Sequence, residues 1–231
     1  MTLRALLPES VAVRETAELD PTGPADTPED FRLAETAVLK RRREYATGRR
    51  LAREAIAVHG QVVDRIPSGP SGEPVWPKWC TGSITHCDGF VAAVVGDRRD
   101  FVSLGVDAEP NLSLPDGVLE HVATPFEIDS VAILGHVDSS IAWDRLFFCV
   151  KEAVYKAWFP IEHRWLGFED VAVQVDVNDR SFAATILESA RRTTAPERIA
   201  GKWTYDAGLL LCAATVATDQ YFAGRRIPMK H

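Results

Sequence analysis

Hydrophobic and polar positions along the chain follow the same order twice, with a long stretch of helical periodicity followed by several short β-rich runs. The first helical stretch covers about residues 30–59 and ends at Gly60, and the second begins near Ser139 or Ser140 and should stop before Pro160. The β-rich runs are Thr81–Cys87, Phe90–Val95 and Phe101–Val106 in the first half, and Asp170–Val177, Ser181–Glu188, Lys202–Tyr205 and Leu209–Thr218 in the second. This order predicts an α+β fold with two similar lobes and a cleft between them.

The segments between these elements complete the prediction. The short connection at residues 96–100 predicts a β-hairpin between the second and third runs. Residues 111–138 are expected to be irregular with short helices, and the polar tail from 219 to 231 is expected to fray. We place the boundary between the lobes after residue 106, which gives an N-terminal lobe of residues 1–106 and a C-terminal lobe of residues 107–231.

Composition and charge exclude several classes of protein. The 231 residues are 46% hydrophobic and 26% charged, as in ordinary globular proteins, and the net charge of −7 argues against a nucleic-acid binder. No apolar run approaches the length of a membrane span, and the first 30 residues lack the apolar core of a signal peptide, so a cytoplasmic protein without a membrane partner is expected. The four cysteines show neither C-x-x-C nor zinc spacing, and are expected to be reduced thiols.

Three acidic residues in two segments suggest a metal site. Asp107 and Glu109 are two apart on a predicted strand, so their carboxylates point the same way. Glu152 and Lys156 are four apart on the second helix and share one face, while Lys151 lies about 100° round the axis. Three carboxylates form an all-oxygen site suited to Mg²⁺, and the lysines beside them could hold phosphate. Taken alone, the strand pair is better explained as two solvent-facing carboxylates on an edge strand.

The first helix and the loop after it carry candidates for anion binding. Treated as one helix, residues 30–59 place Arg41 within the apolar stripe and Arg49 and Arg53 along its edge. Either these arginines form a solvated basic face with buried stems, or they point inward toward an anion. In the following loop Ser68, Gly69 and Ser71 permit close backbone approach, although most loops of this composition are only connectors.

Other chemistries have little support. Ser83 and His86 lie on a predicted strand three apart, so they face opposite sides, and no G-x-S-x-G motif is present. The chain also lacks the P-loop and protein-kinase signatures of other Mg²⁺-dependent enzymes that act on nucleotides. Thr85 and His86, beside a glycine, could instead contact phosphate.

Several motifs together resemble one family. G-V-D-A-E-P at 105–110 and F-C-V-K-E-A-V-Y-K-A-W-F-P at 148–160 resemble motifs of the 4′-phosphopantetheinyl transferases, in the actinobacterial form of the surfactin- and enterobactin-synthetase type. The likeness continues in K-R-R-R-E-Y-A-T-G-R at 40–49, G-E-P-V-W-P at 72–77, G-S-I-T-H-C at 82–87 and R-W-L-G-F-E-D at 164–170. It spans about residues 35–175 in consistent order, and the paired D-x-E and K-E-x-x-x-K motifs are its most specific part.

The resemblance implies a specific activity and fold. Members of this family transfer the phosphopantetheine arm of coenzyme A to a serine of an apo acyl, peptidyl or aryl carrier protein and release adenosine 3′,5′-bisphosphate. Their fold has two pseudosymmetric lobes, each a helix packed on a small antiparallel sheet, with the active-site cleft between them. The implied cofactor is Mg²⁺, or Mn²⁺ in its place, and the implied state is a monomer because the cleft lies within one chain. A coenzyme A-binding regulatory protein that has lost turnover is the alternative.

Site roles also follow from the resemblance. It implies that Asp107, Glu109 and Glu152 hold the metal against the pyrophosphate, and that Glu152 deprotonates the carrier serine directly or through water. Lys156 and Lys151 would steady the pyrophosphate. The nucleotide end and its 3′-phosphate would meet Arg41, Arg49, Thr85 and His86, with Arg53 adding to the field, and the pantetheine channel would be lined by Tyr155 and Trp165. Many relatives carry a lysine in the glycine-rich loop where this chain has S-G-P-S at 68–71, which leaves backbone amides or arginines for that contact.

Overall fold

The fold is built from two antiparallel β-sheets. A computed structural model describes residues 2–20, 35–188, 190 and 195–223, with side chains from residue 39 onward in the second range. Its strands are β1 (Ala12–Thr16), β2 (Cys80–Cys87), β3 (Phe90–Asp97), β4 (Phe101–Pro110), β5 (Val171–Asp176), β6 (Ser181–Ile186), β7 (Arg198–Asp206) and β8 (Leu209–Ala217). One sheet has the order β1-β3-β2 and the other the order β4-β8-β7-β6-β5. The α+β fold with two sheets is therefore confirmed.

Each sheet buries one face against a long helix. The helices are α1 (Glu35–Val58), α2 (Leu119–Val122), α3 (Pro125–Val137), α4 (Trp143–Glu162) and α5 (Thr218–Ala223). The core under α1 contains small and branched side chains, among them Ala52, Ala55 and Ile56, packed with β3. The larger core under α4 includes Val150 and Val154. In the described part of the chain, no helix is both long and apolar enough to cross a membrane.

Helix α4 lies unusually close to strand β4. A Cβ atom on Gly105 would lie 2.0 Å from the carbonyl oxygen of Ala153 and 2.5 Å from the nitrogen of Ala157. The hydroxyl of Ser103 also donates a hydrogen bond to the carbonyl of Ala157. Only a glycine at 105 permits this separation, and the close packing brings the polar face of α4 to the end of β4.

Strands β2 and β4 join the two sheets through side-chain hydroxyls. The hydroxyl of Ser83 accepts a hydrogen bond from the backbone nitrogen of Val106 at 3.1 Å, and that of Thr85 accepts one from Ala108 at 3.1 Å. A third core forms where the sheets meet, and it contains the N-terminal residues Leu3 and Leu6. The smaller sheet therefore ends directly beside the acidic part of β4.

Several boundaries differ from the predictions. The prediction of a β-hairpin across residues 96–100 is wrong, because β3 pairs with β1 and β2 whereas β4 pairs with β8. Helix α4 continues through Pro160 to Glu162, since a proline in the last turn removes only one helical donor. It begins at Trp143 rather than near Ser140, whose backbone nitrogen and hydroxyl both bind Asp138 in a turn.

The ends of the chain also differ from expectation, and the predicted lobe boundary lies within a strand. Strand β1 is an addition to the predicted elements, and part of the tail expected to fray forms α5, while residues 224–231 lie outside the described residues. The boundary placed after residue 106 falls inside β4, and β4 pairs with β8 over nearly its whole length. The helix and the four strands predicted after residue 139 appear near their expected positions.

Candidate active site

The centre of the site is Asp107, a carboxylate on β4 that is only 5% exposed. Its Oδ1 accepts hydrogen bonds from the Nζ of Lys156 at 2.6 Å and from the hydroxyl of Thr85 at 3.1 Å. Its Oδ2 is buried without a hydrogen-bond partner. A buried carboxylate oxygen without a partner is costly, so this atom is a candidate ligand for a cation.

Two further carboxylates lie within electrostatic reach of Asp107. Glu109 is two residues along β4, and its Oε2 accepts a hydrogen bond from Arg145 Nη1 at 3.0 Å. Burial and the charge of Asp107 raise the pKa of Glu109, against the opposing effect of Arg145. The pKa of Glu152 on α4 is raised by burial and then by Asp107, with a smaller contribution from Glu109. Strand β4 and helix α4 thus bring the three predicted carboxylates within electrostatic range of one another.

The three carboxylates do not form a preassembled metal centre. Among the residues that the structure describes, no group of three or more acidic, histidine or cysteine side chains is arranged to hold a metal ion. Two of their oxygens are already paired, since Lys156 contacts one oxygen of Asp107 and Arg145 contacts one oxygen of Glu109. The remaining oxygens are hard donors of the kind that Mg²⁺ prefers, and the orphaned Oδ2 of Asp107 is among them. The donor set therefore fits a small divalent cation.

The two lysines of α4 have different environments. Lys156 lies in the site, where burial opposes its charge but Asp107 and Glu152 outweigh that effect and raise its pKa. Lys151 is only 1% exposed, and its Nζ donates to Glu127 at 2.8 Å and to the carbonyl of Phe168 at 2.8 Å. These contacts point the ammonium of Lys151 into the protein, and its predicted contact with pyrophosphate stays a prediction.

A cavity of about 600 Å³ lies on the other side of β2 from the carboxylates. Successive side chains of a strand alternate in direction, so Ser83 and Thr85 face β4 whereas Ile84 and His86 line the cavity. Further lining residues come from α1 and from the loop after it, and they include Arg41, Glu44, Tyr45, Arg49, Ser68, Gly69 and Ser71. One strand therefore separates an acidic site from a cavity lined by arginines.

Arg49 is the unusual residue of this cavity. It is 3% exposed, its Nη2 donates to the hydroxyl of Ser68 at 3.0 Å, and its guanidinium lies 4.8 Å from the ring centre of Tyr45. Its Nε and Nη1 are buried without hydrogen-bond partners. Buried guanidinium donors without an acceptor favour an anionic ligand.

The other predicted anion contacts differ in position. Arg41, expected to point inward, is exposed at the rim of the cavity, while Arg53 is half-buried and is not among the lining residues. His86 lies with its Nδ1 3.6 Å from a carboxylate oxygen of Glu44. Burial lowers the pKa of His86, and Lys156 and Arg41 add to that effect. Thr85 faces Asp107 rather than the cavity.

The glycine-rich loop is held by one of its own side chains. Ser71 donates its backbone N–H to a carboxylate oxygen of Glu73 at 2.9 Å, and Gly69 donates to the carbonyl of Glu73 at 2.8 Å. The amide of Gly72 binds the carbonyl of Gly69. Backbone amides of this loop are among the groups that the sequence offers to phosphate. In the structure, the amides of Gly69, Ser71 and Gly72 each donate a hydrogen bond to an acceptor within the loop.

An aromatic surface extends from the site along α4. The ring of Tyr155 contacts that of Trp165 at 5.2 Å between ring centres and that of Phe159 at 5.7 Å, both in a tilted arrangement. Trp165 is 71% exposed. Glu152, Tyr155 and Trp165 line one narrow crevice.

Three residues near the site were not predicted. Glu44 has no distinctive sequence signal, and Arg145 is recognisable only once α4 packs against β4. Glu127 does have a signal, because Thr124 and Glu127 form the S/T-x-x-E capping box at the start of α3. A capping box predicts a helix start, but it does not predict that the same carboxylate will bind Lys151.

Two protein-family models match this chain. The 4′-phosphopantetheinyl transferase N-terminal domain matches residues 29–96, and the 4′-phosphopantetheinyl transferase superfamily model matches residues 103–206. Together they cover α1, strands β2 and β3, most of β4 and all of α4.

Three relatives resemble most of the chain. 4′-Phosphopantetheinyl transferase PptT of Mycobacterium tuberculosis is 40% identical over 84% of this chain and 87% of its own length. The transferase Npt of Nocardia iowensis is 41% identical over 78% of this chain and 79% of its own, and the transferase Svp of Streptomyces mobaraensis is 40% identical over 93% and 89%. With both lobes matched and the acidic strand and α4 inside the matched regions, the chain belongs to the 4′-phosphopantetheinyl transferase superfamily of enzymes.

Proposed function

We propose that this enzyme transfers the 4′-phosphopantetheine arm of coenzyme A to a serine of an apo acyl, peptidyl or aryl carrier protein. The serine oxygen forms a bond to the phosphorus that carries the pantetheine, and the bridging bond of the pyrophosphate breaks. Adenosine 3′,5′-bisphosphate leaves, and the serine proton passes to Glu152 directly or through one water molecule. The observation that carries this proposal is the contact between Lys156 and Asp107, which unites the two acidic motifs beside a cavity containing Arg49.

Different residues are proposed to bind the different parts of coenzyme A. Arg49, with Arg41 and His86 at the rim, is proposed to bind the nucleotide end, including the 3′-phosphate, because its two orphaned donors require an acceptor. Lys156 is proposed to steady the pyrophosphate and the leaving group, since it is the lysine of α4 that reaches the carboxylates. Tyr155 and Trp165 are proposed to flank the pantetheine arm, whose amide and methylene groups suit an aromatic channel.

A divalent cation, Mg²⁺ or Mn²⁺, is part of the proposal. When bound, it neutralises charge on the pyrophosphate oxygens. The residues that would hold it are Asp107, Glu109 and Glu152, through the oxygens that Lys156 and Arg145 leave open. The raised pKa of Glu152 moves this carboxylate toward the basicity that a general base needs.

The decisive experiment uses the complete protein with coenzyme A, Mg²⁺ and a panel of apo carrier proteins. We expect at least one carrier to gain the mass of the phosphopantetheine arm, with adenosine 3′,5′-bisphosphate formed in equal amount. The carrier with its serine changed to alanine is the control and should gain no mass. Tight coenzyme A binding with no transfer to any carrier would favour the regulatory alternative.

Changing Arg49 to glutamine should weaken coenzyme A binding by about 10- to 100-fold, because hydrogen bonds to a charged group are each worth about 1.5–3 kcal/mol. Calorimetry with coenzyme A and with 3′-dephospho-coenzyme A measures the effect, and the second ligand should bind both proteins about equally. The control is Arg42→Gln, the same charge change at an exposed position of α1. Equal losses for the two ligands would contradict the assignment of Arg49 to the 3′-phosphate.

Further expectations remain predictions. A monomer is favoured because the cavity and the carboxylates are supplied by one chain. A cytoplasmic setting, with neither nucleic acid nor membrane as partner, is the setting in which coenzyme A and carrier proteins meet.

A further inference from the structure

Arg145 links the start of helix α4 to the acidic strand, and none of the sequence motifs draws attention to it. Its Nη1 donates to Oε2 of Glu109 at 3.0 Å. Its other donors bind backbone carbonyls of the segment after β4, with Nε to Leu112 at 3.0 Å and Nη2 to Ser113 at 3.2 Å. Each of the three guanidinium nitrogens of Arg145 therefore donates a hydrogen bond to a different acceptor.

The neighbouring contacts keep this arrangement rigid. Asp144, the residue before Arg145, accepts a hydrogen bond from the backbone nitrogen of Leu114 at 2.8 Å. Asn111 accepts from the nitrogen of Ala142 at 2.8 Å and donates to the carbonyl of Ser140 at 2.7 Å. These contacts fasten the segment that supplies the two backbone acceptors of Arg145 to the start of α4.

The ion pair is also sheltered from water. The side chains of Arg145 and Glu109 are 17% and 20% exposed, so solvent screens the pair less than a surface pair. With Lys156 on Asp107, the cluster of three carboxylates already has two cations, which leaves an excess of one negative charge. Without Arg145 that excess would double, which by itself favours cation binding. A loss of cation affinity in an Arg145 variant would therefore report the lost orientation of Glu109 rather than the change in charge.

From these contacts we propose that Arg145 is a positioning residue for the divalent cation, and that it acts through Glu109. By holding Oε2, it presents Oε1 of Glu109 to the cation in a fixed orientation, as a direct ligand or through water. The inference rests on the metal site of the proposed function. A role limited to fastening the loop would need only the bonds to Leu112 and Ser113, whereas the third bond is made to a candidate ligand.

The test measures Mn²⁺ binding to the protein saturated with coenzyme A, from the electron paramagnetic resonance signal of free Mn²⁺. Residues that orient metal ligands typically change metal affinity by about 10- to 100-fold when they are replaced. We expect a loss in that range for Arg145→Gln. Arg145→Lys keeps the charge but loses the forked geometry, and should lie between that variant and the unmodified protein.

A double-mutant cycle shows whether Arg145 acts through Glu109. In the Glu109→Gln background, Arg145→Gln should cause little further loss of Mn²⁺ affinity, because the group that it orients has already changed. A purely structural role would instead lower thermal stability equally with and without Mn²⁺ and would leave the Mn²⁺ affinity unchanged. Should Arg145→Gln fail to fold, Arg145→Lys gives the same comparison.

The possible failures can be told apart. If the unmodified protein binds Mn²⁺ and both Arg145 variants bind it equally well, the inference is overturned and the proposed function stands. Additive losses in the double mutant would also overturn it, because Arg145 would then act independently of Glu109. If the unmodified protein with coenzyme A bound takes up no Mn²⁺, the metal site of the proposed function fails first.

Discussion

Replacing Glu152 with glutamine is expected to lower the rate of phosphopantetheine transfer by about 10²- to 10⁴-fold, the usual contribution of a general base. Glutamine has nearly the same shape as glutamate, but it cannot accept the serine proton. Coenzyme A binding should be largely preserved, because Glu152 does not line the cavity that contains Arg49. The measurement is single-turnover transfer to a carrier protein at saturating coenzyme A, together with coenzyme A affinity by calorimetry.

The metal concentration separates the two roles proposed for Glu152. If this side chain acts mainly as a metal ligand, transfer by Glu152→Gln should recover as Mg²⁺ is raised to saturation. If it acts as the base, the loss should persist at every Mg²⁺ concentration, which is what we expect. Glu120→Gln, the same change at an exposed position on α2, is the control and should transfer at the normal rate. Unchanged turnover in Glu152→Gln would contradict both roles.

The part of the site that could be predicted from sequence depends on short-range geometry. The two-residue spacing of Asp107 and Glu109 fixes their direction on a strand, and the four-residue spacing of Glu152 and Lys156 fixes theirs on a helix. The structure confirms that the two segments meet, since Lys156 contacts Asp107 at 2.6 Å. Gly105 permits the close approach, and it stands inside the motif that carries the acidic pair.

The part that could not be predicted depends on partners that are distant in sequence. Residues 96–100 have the composition of a hairpin turn, but the hydrogen-bonding edges of β4 are taken by β8 on one side and by hydroxyls of β2 on the other. The angle of Arg41 on an ideal helix placed it inward, yet Arg41 is exposed and Arg49 is buried, because Ser68 and Tyr45 provide the surroundings of Arg49. Periodicity indicates which face is apolar, but it does not identify what packs against that face.

Lys151 shows the same limitation most clearly, and its replacement should have the largest effect on stability. Its ammonium and the carboxylate of Glu127 are 1% and 0% exposed and lie 2.8 Å apart. Glu127 also accepts hydrogen bonds from the backbone nitrogens of Val173 at 2.7 Å and Thr124 at 2.6 Å. The pair therefore connects α3, α4 and β5, and through the carbonyl of Phe168 it also fixes the segment that follows Trp165.

Changing Lys151 to methionine should destabilise the protein by about 3–5 kcal/mol, because it leaves the charge of Glu127 buried without a partner. Adding Glu127→Gln should recover most of that loss, since glutamine has no charge and keeps an oxygen that can accept from Val173 or Thr124. Urea unfolding of the two single variants and the double variant measures the effect, with the exposed Lys202→Met as a control expected to match the unmodified protein.

The double variant also decides between the two interpretations of Lys151. If Lys151 only positions the helices, the double variant should bind coenzyme A as tightly as the unmodified protein does, because both charges of an internal pair have been removed together. If Lys151 instead binds pyrophosphate, coenzyme A affinity should stay low in the double variant even where stability returns. The buried geometry favours the first result, and full affinity combined with low stability in Lys151→Met would be its clearest sign.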